Sequence, residues 1–245
     1  MSIVAETPSM PAGELPDWAK VETVLLDMDG TLLDLNFDNQ FWRERIPQRY
    51  AELHGLSFAA AQQELAPRFA ARQGTLQWYC TDFWSRDLGF DVAGMKHEAR
   101  AHIRFLPGVP MFLNALRDAG KRLLLVTNAH HDSLRIKASQ TGLGQYFDRL
   151  ISSHSLGFPK EHPRFWQALD ALGLHEARRS LFVDDSLPVL RTARTHGQVE
   201  QIFAVTRPDS TAPPHVVDEF PAVHSVCDLL PGLASFVSLT PKDPG

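Results

Sequence analysis

The chain has 245 residues, of which 44% are hydrophobic and 22% are charged, and its formal net charge is −5. These values are ordinary for a globular protein, and the acidic balance argues against a general nucleic-acid binder, which usually carries a basic face. No apolar run is long enough to cross a bilayer, and residues 1–16 do not resemble a signal peptide. The two cysteines, Cys80 and Cys227, lie far apart, so neither a disulfide framework nor a zinc site is expected. We expect a cytoplasmic protein with no nucleic-acid, membrane or obligatory protein partner.

The order of predicted elements changes once along the chain. Residues 22–27 predict an apolar strand that runs directly into acidic residues. Residues 38–103 contain helical patterns and no convincing strand, and several of these patterns begin near Ser, Thr or Asp and end at Gly. Pro47 and Pro67 predict breaks or kinks in two of them. From residues 106–110 onward helices alternate with apolar strands, which indicates right-handed crossovers and a parallel sheet.

The sequence therefore predicts an α/β fold, a Rossmann-like doubly wound parallel sheet with a helical cap inserted after the first strand. The predicted parts are a flexible leader (1–20), an α/β core (21–35 and 105–235), a helical cap subdomain (36–104) and a flexible tail (236–245). The leader and the tail are expected to be solvated termini.

Strong polar residues follow four of the predicted strands. They are Asp27 and Asp29 after the first strand, Thr127 and Asn128 after the second, Lys160 in the loop after the third, and Asp184 and Asp185 at the end of the fourth. Because ligands bind at the carboxyl ends of parallel strands, we expect these side chains to share one crevice. Four aspartates against one lysine leave a net charge of −3, which repels a phosphate. A divalent cation brings the net charge to −1, and one protonated aspartate brings it to zero, so that a phosphate can bind. All-oxygen ligands favour Mg²⁺ held by the four aspartates.

The reaction that this set supports is phosphoryl transfer to an aspartate. Asp27 is the expected nucleophile and forms an aspartyl-phosphate. Asp29 is expected to protonate the leaving oxygen and then to activate water. Thr127 and Asn128 are expected to hold phosphate oxygens where the next helix starts. Lys160 is expected to bind the phosphate and to neutralise charge in the transition state.

These residues form a motif set that resembles the haloacid dehalogenase-like phosphatases. The four stretches are DMDGT (Asp27–Thr31), LLLVTN (Leu123–Asn128), GFPK ending at Lys160, and LFVDDS (Leu181–Ser186). The resemblance covers about residues 21–205, and the segment between Leu35 and Phe105 resembles the helical cap of the subgroup that is capped after the first strand. It implies Mg²⁺-dependent hydrolysis of a phosphomonoester, and it leaves open whether Asp184 or Asp185 is the direct metal ligand.

Longer stretches are similar to the bacterial GMP/IMP nucleotidases of this superfamily. They are DMDGTLLDLNFDNQFW, LQWYCTDFWS, VTNAH, FPKEHPRFW and FVDDS. The similarity implies that the substrate is a purine nucleoside 5′-monophosphate. Five cap aromatics either stack on the purine or fill the cap interior, namely Phe37, Trp42, Trp78, Tyr79 and Trp84. Residues 36–39 are the first place to expect substrate contacts, and Asp34 is interpreted as a turn or hinge residue and not as a catalyst.

The same sequence motifs are compatible with other activities. A sugar-phosphate phosphatase or a phosphosugar mutase keeps all four motifs, and only the cap distinguishes it. The dehalogenating branch has no need of a carboxylate two residues after the nucleophile, so Asp29 argues against it. A phosphoaspartate signalling or binding module has its acidic pair first in sequence and lacks a long helical insertion, and this chain differs from it in both respects.

Overall fold

In the computed structural model, which describes residues 15–233, six parallel strands form one sheet. The strands are β1 (Thr23–Leu26), β2 (Arg122–Thr127), β3 (Arg149–Ser152), β4 (Ser180–Asp184), β5 (Gln201–Val205) and β6 (Ala222–Val223). Their order in the sheet is β3-β2-β1-β4-β5-β6, so the chain winds outward from β1 in one direction and then from β4 in the other. This order confirms the predicted doubly wound α/β fold, and the short β6 is a strand that the sequence did not indicate.

The central strands are apolar because both faces of the sheet are covered. Every residue of β1 and β4 is buried, as expected for parallel strands between two layers of helices. Leu25 of β1 lies beside Leu124 of β2 and Phe182 of β4, and all three pack with Trp166 on one face. Leu26 points to the opposite face and belongs to the other core cluster. The sheet is therefore rigidly packed up to the points where its strands end.

The helices of the described range fall before and after β2. The earlier ones are α1 (Asn36–Gln40), α2 (Ile46–His54), α3 (Phe58–Ala70), α4 (Leu76–Tyr79), α5 (Thr81–Leu88), α6 (Val92–Glu98) and α7 (Val109–Asp118). The later ones are α8 (His131–Thr141), α9 (Ser153–Leu156), α10 (Pro163–Asp170) and α11 (Leu187–His196). A wider π-helical turn, Phe41–Arg45, joins α1 to α2. Within residues 15–233 no helix is both long and apolar enough to cross a membrane.

We call residues 36–104 the cap segment, which contains α1 to α6. These helices bury a hydrophobic cluster of their own, and its large members include Phe41, Tyr50 and Trp84. Pro47 lies in the first turn of α2, where its missing N–H is tolerated, and the π-helical turn directly precedes it. Pro67 lies inside α3, which continues to Ala70, so no helix ends there. That the cap segment acts as a separate subdomain stays a prediction.

Asp34 holds together the two connections between the cap segment and the sheet. The backbone N–H of Asp34 donates to the carbonyl of Arg104 at 3.0 Å, and its carboxylate accepts from the Arg104 guanidinium at 2.9 and 3.0 Å. The same carboxylate accepts from the N–H of Ser210 at 3.0 Å and from its hydroxyl at 2.6 Å. Asp34 is buried. We call its contacts with Arg104 and Ser210 the Asp34 clasp. The clasp fixes the place where the chain leaves the core, which agrees with the interpretation of Asp34 as a hinge residue.

The predicted boundary between leader and core at residue 21 falls inside the packed structure. Trp18 is only 2% exposed and belongs to a core cluster, and its carbonyl accepts a hydrogen bond from the Lys121 ammonium at 2.8 Å. Packing therefore begins before the predicted boundary. The rest of the predicted leader, residues 1–14, and the predicted tail, residues 236–245, lie outside the described residues.

The Asp34 clasp predicts a pH-dependent contribution to stability. Burial alone raises the pKa of Asp34, but the hydrogen bonds from Ser210 and Arg104 outweigh it and hold the pKa below its ordinary value. A carboxyl with a depressed folded-state pKa stabilises the fold above its unfolded pKa, which is near 4, and this stabilisation is lost as the pH falls through the folded-state pKa. Asp34→Asn should therefore lower the free energy of unfolding by about 1.5–3 kcal/mol at pH 7.

Urea unfolding of the wild type and of Asp34→Asn, from pH 7 down to pH 3, measures this contribution. The difference between the two proteins should be full at neutral pH and should shrink below about pH 4. Asp118→Asn, at the exposed end of α7, is the control and should change the free energy of unfolding by less than about 0.5 kcal/mol. A difference that is the same at every pH would contradict the assignment of the clasp to the charged carboxylate.

Candidate active site

The carboxyl ends of the central strands open into a cavity of about 630 Å³ between the sheet and the cap segment. All seven predicted site residues line it, namely Asp27, Asp29, Thr127, Asn128, Lys160, Asp184 and Asp185. The neighbouring positions of β1, β2 and β4 in the sheet bring these residues together, since each strand ends at the same edge. The cap segment supplies the facing wall of the cavity.

A buried lysine occupies the centre of the strand-end site. The Lys160 ammonium lies 2.5 Å from Oδ1 of Asp27 and 2.7 Å from Oδ2 of Asp184, and it donates to the carbonyl of Val126 at 3.1 Å. Trp166 donates its indole N–H to the Lys160 carbonyl at 2.8 Å and so fixes the backbone. Burial lowers the pKa of Lys160, but the attraction of Asp184 and Asp27 outweighs it and raises the pKa above its ordinary value. Lys160 is therefore a fixed positive charge at neutral pH.

Three carboxylates next to Lys160 form a group that fits a hard divalent cation. One oxygen from each of Asp27, Asp184 and Asp185 lies within 4.8 Å of the others. Burial raises the pKa of Asp27 to about 6, where Lys160 opposes the shift and Asp184 adds to it, and burial also raises the pKa of Asp185 well above its usual value. Crowded carboxylates resist ionisation until a cation joins them, and donors that are all oxygen suit Mg²⁺.

Gly30 leaves room for this acidic group. Its φ is +90°, a conformation that favours glycine. A Cβ at this position would lie 2.7 Å from a carboxylate oxygen of Asp185. The turn after β1 therefore needs a glycine both for its backbone conformation and for the close approach of the acid.

Asp29 does not join the three carboxylates, although the sequence suggested it as a fourth metal ligand. Its Oδ1 lies 2.6 Å from the ammonium of Lys137 on α8. Lys137 also contacts Oδ2 of Asp38 on α1 at 2.5 Å, and Asp38 contacts the Lys96 ammonium on α6 at 2.6 Å. We call these four residues the charge relay. They connect the end of β1 to two helices of the cap segment through alternating charges.

The charge relay changes the electrostatic balance of the site. Burial raises the pKa of Asp29 to about 6, where Lys137 opposes the shift and Asp38 adds to it. Burial also acts to raise the pKa of Asp38, but Lys137 and Lys96 outweigh it and hold that pKa well below its ordinary value. The strand-end part of the cavity thus holds five aspartates and three lysines, a net charge of −2 in place of the predicted −3. One divalent cation neutralises this charge.

Helical periodicity is the only sign in the sequence of the two additional lysines, and it is weak. Lys137 lies three residues after Leu134 on the buried face of α8, and Lys96 is buried on α6. A lysine at a buried helix position needs a partner, so the periodicity indicates that a carboxylate is near. It does not indicate which carboxylate, because the partners come from other elements.

Thr127 and Asn128 differ in how their side chains are used. The Thr127 hydroxyl accepts from the N–H of Ala129 at 3.0 Å. Asn128 accepts from the N–H of Lys160 at 2.9 Å and donates to Glu161 at 2.9 Å, so both ends of its amide are engaged. Asn128 therefore positions the Lys160 loop, a contact different from the predicted direct contact to phosphate.

The aromatic candidates divide between the cavity and the interior. Phe37 and Trp84 are buried, at 6% and 1% exposure. Three candidates line the cavity, namely Trp42, Trp78 and Tyr79. Phe69, which the sequence analysis missed, also lines it, and its ring centroid lies 6.0 Å from that of Trp42 and 6.2 Å from that of Trp78. The cap side of the cavity is therefore an aromatic wall.

A sequence model of the haloacid dehalogenase-like hydrolases matches residues 21–197. The chain belongs to this family. It is 40% identical over 217 residues to the GMP/IMP nucleotidase YrfG of Escherichia coli strain K12, a match that covers 88% of this chain and 97% of that protein. The Shigella flexneri protein of the same name is equally similar.

The fold also resembles solved structures of the family. The crystal structure of a HAD phosphatase from Thermococcus onnurineus superimposes with a TM-score of 0.71 at 21% identity, covering 85% of this chain and 96% of that chain. At this identity the likeness concerns the fold alone. The family match and the curated relatives identify the chain as an enzyme, a phosphatase of the haloacid dehalogenase-like family, and the fold agrees with this identification.

The charge relay predicts that Lys137 is important for stability. Lys137→Met keeps the length of the side chain but leaves Asp29 and Asp38 without their shared cation, so the free energy of unfolding should fall by about 3–5 kcal/mol. Adding Asp29→Asn should restore part of the loss, because Asp29 has no other cation, whereas Asp38 keeps its contact with Lys96. Urea unfolding of the two single variants and the double variant measures this coupling.

Arg135→Met on the same helix is the matched control for Lys137→Met. The Arg135 side chain is 70% exposed and pairs with Asp132 on the surface, so its replacement should change the free energy of unfolding by less than about 1 kcal/mol. Equal losses for Arg135→Met and Lys137→Met would show that the buried relay has no special weight.

Proposed function

We propose that the protein is a Mg²⁺-dependent purine 5′-nucleotidase that acts in the cytoplasm and hydrolyses GMP and IMP through an aspartyl-phosphate. The observation that carries the proposal is a cavity with two different sides. Asp27, Lys160, Asp184 and Asp185 lie on the side of the sheet, and the aromatic wall faces them from the cap segment. The 40% identity to a GMP/IMP nucleotidase over nearly its whole length supports the same substrate class.

Asp27 is the nucleophile in this proposal. Its Oδ1 is held by Lys160, so its Oδ2 is left to attack phosphorus, forming the Asp27–phosphorus bond as the bond to the nucleoside oxygen breaks. Lys160 stabilises the negative charge that develops on the phosphoryl oxygens. Asp27, Asp184 and Asp185 would hold Mg²⁺, which supplies further positive charge against the phosphate oxygens when bound.

Asp29 moves the protons of both half-reactions. It protonates the departing nucleoside oxygen. It then takes a proton from the water that attacks phosphorus, as the bond between phosphorus and Asp27 breaks and inorganic phosphate leaves. Its pKa of about 6 suits both directions near neutral pH, since an effective acid–base group has a pKa close to the working pH. Lys137 contacts one oxygen of its carboxylate and so fixes the orientation of the group.

The aromatic wall binds the purine base in this proposal. Trp42, Phe69 and Trp78 supply apolar surface for a base, and stacking of one base on an aromatic ring contributes about 1–3 kcal/mol. Arg43 and Gln73 also line the cavity, and neither side chain makes a hydrogen bond or ion pair within residues 15–233. GMP and IMP share the O6 and N7 acceptors of a 6-oxopurine, and an arginine donates to this pair in bidentate geometry.

Phosphate release from a panel of monoesters tests the proposal. The panel contains GMP, IMP, AMP, UMP, glucose phosphates and phosphoglycolate, each assayed with Mg²⁺ and then with chelator. We expect release from GMP and IMP well above the others, and we expect chelator to abolish it. Metal-dependent release led by a sugar phosphate would keep the phosphatase chemistry and reject the nucleotidase assignment.

Asp27→Asn tests the nucleophile. The substitution keeps the shape of the side chain and removes the attacking oxygen, so turnover of GMP should fall by at least about 10⁴-fold while the circular dichroism spectrum is unchanged. Asp170→Asn, at an exposed position at the end of α10, is the control and should retain wild-type turnover. Wild-type activity of Asp27→Asn would rule out the aspartyl-phosphate.

Trp78→Ala tests the aromatic wall. Loss of one stacking surface should lower kcat/KM for GMP about 5- to 150-fold, whereas p-nitrophenyl phosphate, which lacks a purine, should lose much less. Phe58→Ala, on an exposed part of the cap segment outside the cavity, serves as the matched control. An equal loss on both substrates would assign Trp78 to packing of the cap segment and not to recognition of the base.

A further inference from the structure

A second cluster of potential metal ligands lies outside the cavity, where the cap segment meets the core. It consists of Cys80 between α4 and α5, His130 before α8 and His154 in α9, and the three ligand atoms lie within 4.8 Å of one another. Cys80 belongs to the cap segment, and the two histidines follow strands β2 and β3 of the core. The three residues are far apart in sequence, which is why no ligand spacing predicts them.

The ring of His154 supplies an independent sign of a ligand. Its Nε2 is fully buried and has no hydrogen-bond partner within residues 15–233, although buried polar atoms in folded proteins nearly always have one. The ring lies beside Cys80 and His130, so an ion held by the three side chains would give it the missing partner.

His130 is oriented as metal-bound histidines commonly are. Its Nδ1 lies 2.7 Å from the Thr81 hydroxyl oxygen, and a second polar group on one ring nitrogen typically fixes a ligating imidazole. Its Nε2 lies 3.8 Å from a carboxylate oxygen of the exposed Asp82. The rings of His130 and His154 are perpendicular, with centroids 4.9 Å apart, so the two imidazoles approach Cys80 from different directions.

We propose that Cys80, His130 and His154 bind a thiophilic divalent cation such as Zn²⁺, and that this ion fastens the cap segment to the core. One thiolate with two imidazoles is a donor set that Zn²⁺ prefers, whereas the carboxylates at the strand ends suit Mg²⁺. Asp82 contacts His130 alone among the three and lies outside this group, so water would supply the fourth ligand. On binding, the Cys80 thiol gives its proton to solvent and its sulfur forms the bond to the metal, with no change of oxidation state.

The site is placed to control access to the cavity. Tyr79, directly before Cys80, lines the cavity and donates to Glu161 at 2.5 Å, and Glu161 follows Lys160. An ion bound at Cys80 therefore holds this edge of the cap segment against the loop of the catalytic lysine. Zn²⁺ should slow turnover at saturating Mg²⁺. This effect on turnover rests on the proposed function, and the metal site itself does not.

Titration of the full chain with Co²⁺, in the presence of excess Mg²⁺, tests the site. One equivalent should give the near-ultraviolet absorption of a cobalt–thiolate bond, and Zn²⁺ should displace it. Cys80→Ser should abolish this absorption. The same substitution should leave α5 intact, because Cys80 accepts from the N–H of Phe83 as the helix cap and serine is a favoured residue at that position.

Cys227→Ser is the matched control, since the Cys227 thiol is also partly buried but lies near the carbonyl of Pro107. It should keep the full absorption. His154→Gln should weaken Co²⁺ binding at least about tenfold and gives the same test if Cys80→Ser fails to fold. Absence of the absorption in the wild type would show that no thiolate binds the metal. Absorption that survives both Cys80→Ser and His154→Gln would show adventitious binding elsewhere. Either result would overturn the proposal.

The spectral assay needs no turnover, so its failure is distinguishable from failure of the proposed function. A protein that binds Co²⁺ through Cys80 and releases no phosphate from GMP would keep the metal site and reject the nucleotidase. A protein that hydrolyses GMP but shows no cobalt–thiolate absorption would keep the nucleotidase and reject the metal site.

Discussion

The contact of the Lys160 ammonium with Asp27 and Asp184 is the interaction on which the strand-end site depends. Two buried carboxylates on adjacent strands repel each other, and neither is tolerable without a compensating cation. Their closeness follows from the sheet, because Leu26 of β1 is in register with Val183 of β4, so the next residue of each strand reaches the same edge. Lys160 comes from the loop after α9, and its backbone is fixed by Asn128 and Trp166.

Two lysines divide the acidic residues into two groups with different partners. Lys160 lies with the carboxylates that fit a cation, whereas Lys137 lies between Asp29 and Asp38. Asp27 and Asp29 are only two residues apart, yet one faces the acidic group and the other faces the cap segment. The division gives the two aspartates different neighbours: Asp27 lies with the carboxylates that fit a cation, whereas Asp29 is held by Lys137 in a position to carry protons.

The sequence predicted the strand-end residues because parallel strands end at a common edge, so that strand assignment alone brings Asp27, Lys160 and Asp184 into one crevice. It did not predict the partners of Lys137, because helical periodicity shows which face is buried and not which element covers it. Phe69 was missed for the same reason. The Cys80 cluster joins three loops or short helices, and such contacts depend on how separately packed segments meet.

The cap segment meets the core through polar contacts and through Phe37, Ala99 and Ile103, which join a core hydrophobic cluster close to the two connecting segments. This division of contacts bears on how the cavity opens. The cap segment's own hydrophobic cluster stays buried within it, so separation exposes little of that cluster. The Asp34 clasp lies at the point of attachment, while the contact of Tyr79 with Glu161 lies farther along the cap segment. Water and substrate oxygens can replace hydrogen bonds and ion pairs, whereas they cannot replace apolar packing. The arrangement therefore favours a cap that pivots near Asp34 and breaks its remaining polar contacts when a nucleotide enters or leaves.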